Sequence, residues 1–578
     1  MYKNRLCRKF FPAATAGICA LLMVSPLPLL ASESAPAPPP GAMGEAPDMP
    51  PGEGGKPGGP MGVEAVTEWD AIQEYFEDEE DEEVVIQSNG PDENAVLVSE
   101  GAKVKLIDLD LERNSSDSTG GDAASFYGVG AAFLNTDGEA LLAGGSVYTD
   151  SAGGAGLFSY DKGITYAEDY YIETLQNTSG GLHVAGGGSL YAWNSFVSTE
   201  GESSAAIRSD RGGGKMVIDG GEYISTGAGS PAVYCTADIS VHDAMLTAEG
   251  SEGVCLEGKN TLRLFDSHLS SAMKEDDRND CTWSVIVYQS GSGDSEEGEG
   301  TFEMTGGSLS SNNGGLFYTT NTKSRFLLSG VDMSSVTKPD FFLRATGNVN
   351  KRGWGKSGKN GADCVFTMKN QSAAGDVICD SISNLKLFLT EESTLKGAFK
   401  EDESASIAGG SGSSSLTIDK KSKWIVTGDS VVTHLHNGGK IEDENGKKVT
   451  VKGADGKVLV KGKSDFTVTV TDYDKTADLT GISEEESWES YSVEKPAFLV
   501  ENEYDPEEEE IYEEDGEEDI EEIDLTEGEE GPAEEEVQTK SSPVKAAVVI
   551  IIGVLGALAV LLWKKLPLKN PGKKPSGK

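Results

Sequence analysis

Between about residues 90 and 460 the chain alternates short apolar and polar positions, with Gly, Ser and Thr between the runs and hardly any helical periodicity. Period-two alternation sends successive side chains to opposite faces, so short strands separated by turns are predicted. A segment of the form apolar-x-apolar-x-turn-x-x-apolar-x-Ser/Thr can be laid over itself at seven places. Its last apolar position falls at Val147, Val197, Ile224, Leu246, Leu269, Leu309 and Met333. The intervals are 50, 27, 22, 23, 40 and 24 residues. Most are one period, 50 is two, and 40 is one period carrying the insertion Met273–Gly300.

The other columns test this alignment. Three residues before the anchor stand Gly144, Asn194, Gly221, Asp243, Asp266, Gly306 and Gly330, all types that tolerate a left-handed backbone. Five and seven residues before it come apolar pairs such as Leu142 with Ala140, Leu264 with Leu262 and Leu328 with Phe326. One coil departs, because Asp219 falls in the apolar column: either the register slips by one residue, using Met216 and Ile218, or a carboxylate points inward. A third strand follows the anchor, with Ala205 and Ile207, Val254 and Leu256, and Phe341 and Leu343 as its apolar pairs.

Coils of three short strands, each turning at a Gly/Asn/Asp column, predict an all-β fold: a right-handed parallel β-helix over residues 85–462. Coils stack at about 4.8 Å, so about fifteen of them would make a rod about 70 Å long. A barrel or sandwich needs antiparallel turns at roughly 8–12-residue spacing, which the longer period opposes.

Composition changes the picture at the two ends. Of 578 residues, 97 are acidic and 48 basic, a net charge of −49, which excludes a basic nucleic-acid binder. Residues 1–31 carry Lys3, Arg5, Arg8 and Lys9 before an apolar run and small-residue exits, the pattern of a signal peptide. Residues 32–84 read as a disordered linker, first Pro/Gly-rich and then acidic through Glu74–Glu83. Residues 463–482 read as a β cap over the last open edge, supported by alternation and Asp-Gly turns through Val449–Tyr473. Residues 483–545 read as an acidic stalk, since Glu501–Glu536 holds 22 carboxylates in 36 residues. Ala546–Trp563 is an uncharged 18-residue stretch, enough for one transmembrane helix, and the lysines of 564–578 place that tail inside and the large domain outside.

Five cysteines remain after the signal peptide: Cys235, Cys255, Cys281, Cys364 and Cys379. An odd number leaves at least one free thiol in a monomer. There is no CxxC, HxxxH or HExxH, so zinc chemistry has no motif to stand on. His434 and His436 share one strand-like segment and read as ordinary surface residues.

SSAAIRSDRGGG (Ser203–Gly214), GSPAVYCTADI (Gly229–Ile239), the coil around Gly306–Tyr318 and WIVTGDSVV (Trp424–Val432) resemble exported surface proteins of Gram-positive gut bacteria that carry right-handed β-helix domains, broadly adhesin-like and pectate-lyase-like. The resemblance covers most of residues 90–460. It implies display on the cell membrane and contact with extracellular polysaccharide or with a host or neighbouring cell surface; it assigns no reaction.

Candidate chemistry lies on the outward positions. Arg208, Asp210 and Arg211, beside three glycines, can clamp an anionic group such as a uronic acid; the same residues also suit a turn in which Asp210 neutralises one arginine. Glu257 and Arg344, with Gln289 and Thr236, stand at roughly corresponding places, so Glu257 beside Arg208 or Arg344 is the one arrangement a polysaccharide lyase or hydrolase could use. Asp243 and Asp266 occupy the turn column on successive coils, where they can share a Ca²⁺, act as a catalytic carboxylate pair or simply serve the turn; Ca²⁺ is the only cofactor the sequence suggests. Tyr191 and Trp193 should point outward and can stack on sugar rings, as can Trp283 and Trp354 in loop-like segments, whereas Trp424 reads as core. The functional expectation is an adhesin or polysaccharide-recognition module, with a lyase and a structural spacer as alternatives.

Overall fold

Inward-pointing side chains decide the architecture. In the computed structural model, which describes residues 65–503 apart from Asn313 and Ala408, the chain is all-β and solenoid-like, built from long parallel sheets. The first sheet has 13 strands, from Ala71–Tyr75 to Phe399–Glu401, each paired in parallel with the strand one coil away. One inward ladder runs Val96, Phe133, Leu157, Leu182, Ile207, Val233, Val254, Val285, Phe317, Leu343, Val377 and Phe399. All of these are buried, and a fully buried apolar side chain of this size contributes about 1.5–3 kcal/mol. Twelve steps at the usual strand spacing give a stack about 60 Å long, so this sheet has fewer coils than the fifteen expected.

The second sheet carries the repeat anchors. Its ladder is Val147, Ile172, Val197, Tyr223, Leu246, Leu269 and Leu309. The 50-residue interval is thus two coils meeting at Ile172, and Leu269 pairs directly with Leu309 across the insertion. Tyr223, not Ile224, occupies the ladder, because the register slips: Met216 and Ile218 continue the columns of Leu190 and Ala192. Asp219 therefore points outward, where His242 meets it at 2.7 Å. A third sheet, Ser372–Ala374, Thr394–Lys396, Lys423–Val426 and Lys440–Asp443, takes over this wall in the carboxyl-terminal coils.

Two features of the repeat acquire physical roles. Three residues before the ladder, Asp108, Gly144, Asp169, Asn194, Gly220, Asp243, Asp266, Gly306, Gly330 and Asn370 all have φ between 45° and 77°. This left-handed residue turns the corner while the strand ladder continues on either side. Two residues after the ladder position, Thr149, Thr174, Thr199 and Ser225 each donate a hydroxyl hydrogen bond to the carbonyl five residues on, at Gly154, Ser179, Ser204 and Ser230. These bonds satisfy carbonyls inside the next corner that would otherwise be buried unpaired.

One stretch of the core is aromatic. Phe302, Phe326 and Phe366 form one ladder, with the rings of Phe326 and Phe366 stacked at 5.2 Å, and Phe317 and Phe342 meet them edge-on from the first sheet. Trp424 is fully buried, its indole N–H bonded to the Gly397 carbonyl at 2.9 Å. The five cysteines among the described residues are free, and burial pushes their thiols up.

Three boundaries move. The acidic collar expected within the 32–84 linker is ordered: Ala71–Tyr75 and Glu79–Glu82 pair with Asn94–Val98 and Lys103–Ser115 and form the first coil. The cap begins before residue 463, with the antiparallel pair Thr450–Gly453 and Val458–Val460. Residues 483–503, expected as stalk, fold back along the outside of the second sheet. Ser483 N–H bonds Thr367 Oγ1 at 3.0 Å, Glu485 pairs with Lys369 at 3.3 Å, Glu486 pairs with Arg263 at 2.9 Å, Lys495 pairs with Glu168, and Leu499 in the helix Ala497–Glu501 is fully buried against Ala143 and Trp193. Aromatic and apolar anchors spaced through the acidic run give this segment enough buried area to order. Among the described residues no helix is long and apolar enough to cross a membrane; the signal peptide, most of the stalk, and the span Ala546–Trp563 with its tail lie outside them.

Candidate functional site

The outward column of the first sheet reads His183, Arg208, Tyr234, Cys255, Ile286, Tyr318 and Arg344 on successive coils. It is largely covered rather than exposed. Over its amino-terminal part lies the helix Gly121–Tyr127: Arg208 Nη2 donates to Ser125 Oγ at 2.8 Å, and Arg211 lies 4.0 Å over the Phe126 ring while pairing with Asp294 at 2.7 Å. Asp210 accepts from Arg208 Nε at 2.6 Å and meets His183 Nε2 at 2.9 Å. Burial pushes the His183 imidazole down to about 4, against the opposing pull of Asp210. Burial would raise the Asp210 carboxyl, but Arg208 and His183 together hold it below the ordinary range. The arginine cluster is thus a buried node that fastens a helix, not an open anion clamp.

The lyase arrangement does not assemble. Arg208 and Arg344 share a column but stand five coils apart, about 24 Å at the strand spacing. Glu257 lies in a different column, level with Tyr288. Its carboxylate accepts from Tyr234 and Tyr288 hydroxyls at 3.2 and 2.9 Å and from Ser290. Arg344 pairs with Asp402 at 2.7 Å. Gln289 donates to the Ser290 carbonyl and Ser295 Oγ.

The aromatics also differ from expectation. Tyr191 and Trp193 do point outward, but Tyr191 stacks on Tyr166 at 4.9 Å and Trp193 is buried beneath Leu499 of the returning segment. Trp283 is buried against Tyr318 and Trp354, where the loops around Met273–Trp283 and Asn348–Trp354 cover the first sheet. Asp243 and Asp266 have φ of 47° and 46° and serve the turn. Among the described residues no group of three or more His, Cys, Asp or Glu converges as a metal site.

An open site lies instead on the outward face of the second sheet near its carboxyl-terminal end. Lys386, Ser415, His434 and Asp472 form one row across successive coils, and Phe388, Thr417, His436 and Asp474 form the next. Asp363, Asn384 and Ser413 form a third. Parallel pairing spaces neighbours within a row by about 4.8 Å and the rows by about 6.6 Å. The chain after the last strand recrosses this face, so Asp478 and Thr480 wall a groove of about 380 Å³. His434 Nδ1 meets Asp472 Oδ2 at 3.0 Å. Hydrogen bonds from Thr480 and the nearby His436 and Lys386 charges hold the Asp478 carboxyl below its ordinary range, and Thr476 with His436 does the same to Asp474. The groove therefore offers hydroxyls, an amide, carboxylates, an ammonium and two imidazoles over a floor in which Leu385 and Phe388 are buried. His434 and His436 are surface residues, as their sequence suggests; the alternation THLH faces both the same way, into this groove.

No family model, curated protein or solved structure matches this chain.

Proposed function

We propose that this chain is an exported, membrane-anchored right-handed parallel β-helix whose role is recognition of extracellular polysaccharide or a host or neighbouring cell surface. Handedness follows from the strong preference of parallel crossover connections for the right hand. The observation that carries the binding role is the groove between Lys386, Phe388, Ser415, His434, His436 and Asp478. Its volume of about 380 Å³ falls within the roughly 300–1,000 Å³ of small-ligand sites. Its lining suits a sugar: donors and acceptors of several kinds for ring hydroxyls, over a floor in which Phe388 is buried.

The test is a glycan-array screen of the purified chain, with and without Ca²⁺, followed on each hit by an assay for cleaved product. Binding that falls at least about tenfold in His436→Ala or Lys386→Ala, a loss of about 1.4 kcal/mol, is expected. Binding unchanged in both variants, or none on the array, overturns the reading. Product release would move the assignment to a lyase or hydrolase.

A further inference from the structure

The two ends of the solenoid differ in charge. At the amino-terminal end, Ala71–Tyr75, Glu79–Glu82 and Val85–Ser88 pair on one side only, and among the described residues no strand lies on the other. This coil exposes Glu74, Glu77, Asp78, Glu79, Glu80, Glu82 and Glu83, together with Ile72, Phe76 and Val85, each more than half exposed. At the carboxyl-terminal end the cap exposes Lys440, Lys447, Lys448, Lys457, Lys461 and Lys463, interspersed with Glu444, Asp455 and Asp465, and Val458 and Leu459 on its hairpin. In a chain of net charge −49, residues 440–465 carry seven lysines against five carboxylates, a modest local excess of positive charge.

We infer that these ends are the two halves of one interface, and that copies of this chain associate end to end, the acidic first coil of one against the lysine-rich cap of the next. An unpaired strand edge carrying apolar side chains is a template for further pairing. Its carboxylates repel a second acidic end, so head-to-head pairing is disfavoured, while the lysine cap meets the same charges favourably. Each end places apolar side chains among complementary charges, the composition of a specific contact surface. The last described residues lie away from the cap, Glu503 beside Lys495, near Glu168, on the flank of the solenoid. The contact is heterologous, so it propagates into a row rather than closing as a dimer. Overall repulsion does not forbid it: at about 0.1 M salt the Debye length is about 10 Å, short against a stack about 60 Å long, so each end responds chiefly to the end it meets.

Sedimentation velocity of the full-length chain in detergent tests this. In about 0.1 M salt the apparent mass is expected to rise at least about twofold with protein concentration, and to return to that of a single chain in about 1 M salt, where screening acts within about 3 Å. Two charge-reversed variants should each stay monomeric: Lys457→Glu/Lys461→Glu/Lys463→Glu, and Glu77→Lys/Glu79→Lys/Glu82→Lys. Mixed together they should associate again, since each then presents an end complementary to the other; that rescue also shows that both are folded. A wild-type chain that remains single at every concentration, association that survives both reversals, or a mixture that fails to associate overturns the inference.

Discussion

The indole of Trp488 lies flat on the imidazole of His242, ring centroids 4.8 Å apart and planes 10° from parallel. His242 is in turn held by Asp219, and Arg263 on the next coil lies 4.1 Å over the Tyr491 ring. The returning segment 483–503 is thus fastened by aromatic contacts to side chains that a register slip and a strand alternation happen to bring outward. It covers Tyr191 and Trp193, two aromatics otherwise suited to a ligand.

Leu499→Ala should release this segment. Leu499 is fully buried, and truncating a buried leucine costs about 2–5 kcal/mol, with the low end expected at an edge that can relax. Limited proteolysis should then cut within 483–503 while the melting of the solenoid stays nearly unchanged. Equal protease resistance in the variant would count against the docking.

Asp210→Ala should destabilise the fold by about 3–5 kcal/mol, because it leaves the buried Arg208 without its carboxylate. Thermal unfolding reads the loss. Glycan binding at the Lys386–His436 groove should be unaffected by temperature-matched assay, since the two lie on different sheets.

Glu303 is buried under the returning segment, and burial with Glu486 nearby pushes its carboxyl up to about 7. Its raised value means that the folded chain keeps a proton that the unfolded chain releases, so stability falls as pH rises from about 4.5 to about 7 and the cost is fully present above that. Glu303→Gln should stabilise the fold at pH 8 by on the order of 1–3 kcal/mol, read as a higher melting temperature, and change little at pH 4. A gain of equal size at both pH values would exclude ionisation as its cause.

Asp243 sits at φ 47°. Asp243→Gly should be nearly neutral or stabilising, whereas Asp243→Val should cost about 1–2 kcal/mol, since a β-branched residue resists the left-handed region. Urea unfolding distinguishes them. A large loss in the glycine variant, reversed by added Ca²⁺, would instead revive the cation role for Asp243 and Asp266.

What the sequence by itself determined is the repeat. Inward alternation, the left-handed corner residue and the Ser/Thr that follows it are local, and parallel stacking multiplies each into a column, so Val147, Asp266 or Thr199 can be placed without any knowledge of distant chain. Even the slip at Asp219 was legible, as Met216 and Ile218 offered the alternative columns. Only the tertiary structure decided the fate of the outward side chains. Arg208 meets Ser125 across 83 residues and Lys495 meets Glu168 across 327, and no period in the sequence encodes such contacts. A side chain facing away from the core is exposed unless another segment covers it. That covering turned the RSDRGGG cluster into a buried node and hid Trp193, and it left His434 and His436 facing an open groove.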